Sequence, residues 1–210
     1  PSLLCLPTNY KAYSRLSQLI TLGRRRAPKG KCDIGIDDFL NQANDQVAIS
    51  LATVDMPSHE VHLQKLSYTL PGQCYISGQN FMAPGSQRKL AALEALSKTV
   101  SLPLVATNDV HYHESRRRDL QDVLTSIRKH CTIGEAGYHL FPNAERHIKS
   151  GAEMAALFLR HPKAIDCTIE IAQRCTFSLD ELIYEYPDDE APTGILPQKH
   201  LEKLTWAGAK

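Results

Sequence analysis

Four short apolar runs constrain this chain more than anything else in it: "SLLCLP" (2–7), "VAISLATV" (47–54), "CYISGQ" (74–79) and "PLVAT" (103–107). Stretches with helical periodicity lie between them. Segment 9–25 places Tyr13, Leu16 and Ile20 on one face and leads into Arg24, Arg25 and Arg26, where cations suit the carbonyl end of a helix. A short helix is predicted around Asp37 to Asn41. A polar helix is predicted over 58–70, stopped by Pro71-Gly72, and another over 86–100 with Leu90, Leu93 and Leu96 inward. The run from Pro103 to Ala106 does not alternate apolar with polar, so both of its faces are expected to be buried. Strands alternating with helices predict an α/β fold on a parallel sheet or barrel. Such folds gather their chemistry at the C-terminal ends of the strands.

After residue 114 the pattern turns helical. Residues 115–130 carry Leu120, Val123, Leu124 and Ile127 at the spacing of one helical face. Ser150 and Glu153 form a capping box ahead of Met154, Leu157 and Phe158. His161-Pro162 opens a helix to about Cys175, and Ser178 with Glu181 forms a second box. Residues 184–197 hold three prolines and the acidic run Asp188, Asp189, Glu190, and read as an extended, solvated linker. A helix restarts at Gln198 through Leu201 and Leu204. A strand placed almost directly after Pro1, and a helix cut off at the other end, are expected of a chain truncated at both ends.

Composition narrows the function classes. The formal net charge of +1, with 42% hydrophobic and 22% charged residues, leaves no whole-chain nucleic-acid footprint. Any DNA contact must come from local clusters or from elsewhere. Six cysteines at 5, 32, 74, 131, 167 and 175 contain no C-x-x-C pair, which argues for reduced thiols acting as small buried hydrophobes, in the cytoplasm. No apolar stretch approaches a membrane span and no signal peptide opens the chain, so no membrane partner is expected.

The stretch "ATNDVHYHESRRRDL" carries the candidate chemistry. If the strand stays extended past Asn108, then Asp109, His111 and His113 project to one side. A carboxylate with neutral imidazoles suits zinc, manganese or iron, and a divalent ion there would activate water for phosphoester chemistry. The plainer alternative is a turn-capping aspartate with two surface histidines. Arg116, Arg117 and Arg118 begin a helix, where the dipole does not favour cations, and are candidates to hold a DNA or nucleotide phosphate. Pairing with Glu114 or Asp119 on a solvated face is the other reading. The remaining histidines show no mutual spacing and read as surface or capping residues.

The wider stretch "LPLVATNDVHYH" resembles the fourth metal-binding motif of the PHP (polymerase and histidinol phosphatase) domain of bacterial C-family DNA polymerases. The resemblance continues through "LQDVLTSIR", "NAERHIKS", "EIAQRCTFSLDEL", "YEYP" and "LTWAGAK". It reaches back to "AYSRLSQLITLGRRRAPKGKC", so it covers essentially the whole chain in order. It is closer to the error-prone, translesion-type branch than to the replicative alpha subunits. Replicative subunits usually read "HDVLLCI", and Gln121 stands here in place of that histidine. "SLDELIYEYP" points the same way.

The resemblance implies the C-terminal part of a distorted (β/α)7 barrel over 1–180, with its following helices, and a linker with the start of the polymerase palm over 181–210. Asp109 and His111 match the family's D-x-H metal pair, while His113 is not a usual ligand position. The family's opening H-x-H motif is absent from this chain. Its histidine before the "LVLLA" strand falls near Ser2, and its "YLEL" strand appears as "YISG" (75–78), without the glutamate. The implied function is DNA-directed DNA synthesis in damage-induced repair, the chain supplying PHP-domain support and part of a zinc or manganese site. DNA and deoxynucleotides would be bound by the parent protein, other repair or replication proteins being further partners. The catalytic magnesium ions would sit on palm aspartates outside this chain, so no residue here is expected to catalyse polymerisation. A PHP phosphoesterase or exonuclease, and a non-catalytic PHP scaffold, are the alternatives.

Overall fold

The computed structural model describes residues 2–51, 57–183 and 191–209. It divides into two compact units, 1–177 and 178–210. The first unit holds strands β1 (Leu3–Pro7), β2 (Gln46–Ser50), β3 (Cys74–Gln79) and β4 (Leu104–Thr107). Its helices are α1 (Tyr10–Arg26), α2 (Ile36–Asn41), α3 (Pro57–Thr69), α4 (Ser86–Val100), α5 (Arg118–Lys129), α6 (Ile133–Ala136), α7 (Gly151–Leu157) and α8 (Pro162–Arg174). The second unit contains the turn Leu179–Glu181, capped by Ser178 and Glu181, and α9 (Pro197–Gly208). The end of the expected 47–54 strand, and the run Asp188 to Glu190, lie outside the described residues.

The strands make an open sheet in the order β1-β2-β3-β4. β2, β3 and β4 are parallel, as their buried, non-alternating sequences predict, but β1 runs antiparallel to β2. The expectation of a wholly parallel sheet is therefore corrected. The physical reason is parity. A single helix between two strands returns the chain to the end from which it started. Between β1 and β2 stand two helices, α1 and α2, so β2 enters beside the exit of β1. Pro7 pairs with Gln46, and the Thr8 amide donates to the Asp45 carbonyl at 3.1 Å.

One sheet face presents Ala48, Cys74, Ile76, Leu104 and Ala106 to a core completed by Leu19, Phe39, Leu63, Leu66, Leu90 and Leu93 from α1 to α4. The opposite face presents Val47, Ile49, Tyr75 and Val105, covered by Ile171 of α8. The unit is thus a sheet between helical layers. α1 buries Ala12, Leu19 and Gly23, not the expected Tyr13, Leu16 and Ile20 stripe, and Ile20 is exposed. Close approach selects the smaller residues. Gln46 Nε2 donates to the Ala12 carbonyl at 2.6 Å, and a Cβ on Gly23 would meet Ile34 Cγ1 at 2.4 Å.

Gly78 in β3 shows the same tightness. A Cβ there would lie 3.0 Å from Leu90 Cδ1 and 3.2 Å from Leu104 Cγ. Gly78→Val is expected to cost about 1–3 kcal/mol through overpacking, read as a lower urea midpoint with an unchanged slope.

α5 departs most from its sequence. Its four periodic apolar residues share one face, as the spacing predicts, but that face meets solvent: Leu120, Leu124 and Ile127 are 52%, 53% and 64% exposed, and Val123 is exposed too. The side it buries carries Thr125 and Ser126, each 5% exposed. Periodicity groups the residues on one face but does not say which way the face points.

Candidate functional site

The exits of β3 and β4 lie side by side, and a single segment, 141–149, is laced across both. From the β4 exit, Asn108 Nδ2 donates to the carbonyls of His147 at 2.6 Å and Glu145 at 3.3 Å. From the β3 exit, the Phe81 carbonyl accepts from Asn143 Nδ2 at 2.6 Å. The Arg146 carbonyl accepts from the amides of His111 (2.9 Å) and Tyr112 (3.3 Å), and the Ile148 amide donates back to Tyr112 O at 3.2 Å. Tyr112 and His147 thereby form a parallel bridge. The backbone of 146–148 is held as firmly as a short strand.

Extended geometry ends earlier than the alternation rule assumed. β4 stops at Thr107, and Asp109 adopts a φ of +41°, in the left-handed region that aspartate tolerates better than most residues. The three expected ligands therefore do not share one side. Asp109 Oδ2 lies 3.6 Å from His111 Nε2, while His113 Nε2 turns to Glu114 Oε1 at 3.2 Å. Tyr112, between the two histidines, is buried.

The nearest partner of Asp109 is a residue that spacing did not flag. Arg146 Nη1 donates to Asp109 Oδ2. Its guanidinium lies over two aromatic rings, 3.9 Å from the Phe81 centroid and 4.1 Å from that of Phe141. His111 packs against the same Phe141 ring at 4.8 Å. The Arg146 side chain is 16% exposed, and burial lowers its pKa from the ordinary arginine value. Arginine remains charged in proteins despite such shifts. Lys149, at 4% side-chain exposure, donates to the Glu145 carbonyl at 2.5 Å and pairs with its carboxylate at 3.1 Å. His147 Nδ1 lies 2.8 Å from the Ala144 carbonyl and 3.4 Å from Lys149 Nζ.

The arginine triplet is distributed. Arg116 Nε and Arg117 Nε lie 2.6 and 3.7 Å from Glu114 Oε1. Arg118 donates to the Phe141 carbonyl at 2.8 Å and lies 3.5 Å from Asp122. Among the described residues no hydrogen bond or ion pair joins the triplet to Asp109 or His111.

A zinc or manganese ion suits these donors poorly. Asp109 already has a cation against its Oδ2, His111 is the one imidazole beside it, and His113 points to another carboxylate. Among the described residues, no three His, Cys, Asp or Glu side chains converge as a metal cage. The arrangement neutralises a strand-end carboxylate and ties two strand exits to one segment. A signal for Arg146 was present in "FPNAERH", an arginine close after an aromatic. Its partner lies 37 residues earlier, beyond the reach of any local pattern.

No helix among the described residues is long and apolar enough to cross a membrane. No family model matches the chain. The chain is 44% identical over 210 residues, its whole length, to the error-prone DNA polymerase of Caulobacter vibrioides, and covers 19% of that protein. It is 42% identical over 205 residues to that of Ruegeria pomeroyi and 40% identical over 222 residues to that of a Bradyrhizobium strain, covering 18% of each. The chain therefore spans about a fifth of the length of the curated relatives it matches, and throughout its length it is similar to proteins named error-prone DNA polymerase.

Proposed function

We propose that this chain is a supporting portion of an error-prone DNA polymerase, docked through the outward face of α5 against other parts of the same polypeptide. In this reading the sheet is the C-terminal part of a PHP barrel. The whole protein binds DNA and deoxynucleotides in the cytoplasm, and the magnesium ions of nucleotidyl transfer are held by its polymerase core, not by residues of this chain. Damage-induced repair synthesis is the process it serves.

The inversion of α5 is the observation that carries the supporting role. A helix that buries Thr125 and Ser126 while leaving Leu120, Val123, Leu124 and Ile127 39–64% exposed forgoes about 1 kcal/mol of burial for each. The full-length similarity to much longer polymerases supports the rest of the polypeptide as the occupant. Exposed Arg116, Arg117 and Arg128 border the face, so a matching segment is apolar with an acidic margin.

The test uses the double variant Leu124→Glu, Ile127→Glu. In the isolated chain it is expected to leave the melting temperature within about 2 °C, since both side chains already meet solvent. In the full-length protein it is expected to raise amide exchange in α5 at least about tenfold, and to weaken primer extension with magnesium and deoxynucleotides. Equal α5 exchange in the chain and the full-length protein would remove the docking role. Concentration-dependent dimers of the isolated chain, abolished by the variant, would assign the face to a second copy instead. A full-length protein that fails to extend primed DNA would remove the polymerase reading.

A further inference from the structure

We propose that Arg146 is a built-in cation that takes the place of a metal ion at the β4 exit. A strand-end carboxylate beside an imidazole attracts a positive charge, and two sources can supply it. One is a divalent ion shared by Asp109 and His111; the other is a side chain of the protein. The guanidinium of Arg146 already contacts Asp109 Oδ2, the oxygen that faces His111 Nε2 at 3.6 Å. A divalent ion bridging those atoms would stand next to a fixed positive charge and be repelled by it.

The position of Arg146 is built by backbone, not reached by a swinging side chain. Its carbonyl accepts the His111 and Tyr112 amides, and Asn108 holds the carbonyls on both sides of it. The guanidinium lies over both the Phe81 and the Phe141 ring, and Asn143 ties the Phe81 carbonyl to the same segment. A planar cation against two rings is favourably placed, and its displacement would take the cation from both rings and the nearest partner from the carboxylate. The Arg146–Asp109 pair thus locks segment 143–149 over the exits of β3 and β4, and this corner of the fold needs no ion to stay closed.

The experiment uses the full-length protein, loaded separately with zinc and manganese, desalted and analysed by elemental mass spectrometry. Expected is a metal content that Asp109→Ala and His111→Ala leave unchanged, together with amide exchange over 110–112 and 146–148 that EDTA does not alter. Arg146→Met is expected to raise exchange in those two stretches about tenfold or more, and adding Asp109→Asn to it to cause little further change, because the two residues form one pair. Arg146→Lys keeps the charge and is expected to give a smaller increase than Arg146→Met. Stoichiometric zinc or manganese lost with Asp109→Ala or His111→Ala would overturn the proposal. So would Arg146→Lys and Arg146→Met loosening the site equally, since charge would then not be what holds it.

Discussion

Between pH 9 and pH 11 the 1–177 unit is expected to lose several kcal/mol of stability, on the scale of a domain's whole stability. Three groups with the largest shifts carry most of the loss, and Tyr112, Cys167 and Cys175, also raised by burial, add to it in the same direction. Burial pushes the Cys5 thiol from 9.0 up to about 11, and burial together with the charge of the neighbouring Cys5 pushes the Cys74 thiol up to about 12. Tyr75 rises from 10.0 to about 12 through burial and its hydrogen bond to Glu170. All three are neutral when protonated, and their folded pKa values exceed the unfolded ones. Their contribution is therefore complete below pH 9 and disappears as pH rises toward the folded values. At pH 11 the two thiols account for roughly 2–3 kcal/mol each and the tyrosine for about 1. The sheet register explains why the thiols act together. Cys5 and Cys74 both pair with Ala48, one from each side, so they occupy one cross-strand row on the helix-covered face. Urea titrations from pH 8 to 11 should show the midpoint falling steeply. The double variant Cys5→Ala, Cys74→Ala, less stable at pH 8, should show a clearly shallower fall. Parallel curves for the two proteins would refute the assignment.

The same register shows what the sequence could and could not specify. The four strands, the short helix α2 and the capping boxes at Ser150 and Ser178 were legible, because each depends on local pattern or on residues three apart. The direction of β1 was present only implicitly, in the parity of two helices between the first strands. The inward stripe of α1 escaped because periodicity scores large apolar residues, whereas Ala12 and Gly23 are buried for their smallness. α5 failed for a different reason. Its periodicity was right, but periodicity carries no signal for which way the face points, and here it points to solvent.

At the candidate site the limit was conformational. The rule that put Asp109, His111 and His113 on one side holds only while the chain is extended, and a left-handed Asp109 breaks it after β4. The pairing of Asp109 with Arg146 was invisible because it is long-range and because arginine is not a residue type sought in a metal motif. The aromatic neighbours needed to make that cation favourable, Phe81 and Phe141, come from two further segments.

Phe158→Ala is expected to cost about 3–5 kcal/mol, the range for removing a large aromatic side chain from a packed interior. Phe158 is 1% exposed and caps the end of α7, where its amide donates to Met154 O at 3.1 Å and its carbonyl accepts from His161 at 2.7 Å. It belongs to the main core, although the helices on either side of it lie far along the chain from the strands they cover. The consequence should reach the site by a short route. Asn80, next to Phe81, donates from Nδ2 to the Leu157 carbonyl at 2.9 Å, so a loosened α7 releases the β3 exit. Phe81 then loses its fixed place beneath Arg146. Phe158→Ala should accordingly speed amide exchange at 146–148 as well as lower the urea midpoint. Phe158→Leu, which refills most of the volume, should cost only about 1–1.5 kcal/mol and leave that exchange near its original rate. Equal losses from the two variants would mean that the aromatic ring is not what fills this part of the core. A large loss without faster exchange at 146–148 would break the link from α7 through Asn80 to Arg146, and leave the site anchored by Asn108 and by the Asn143–Phe81 tie without help from α7.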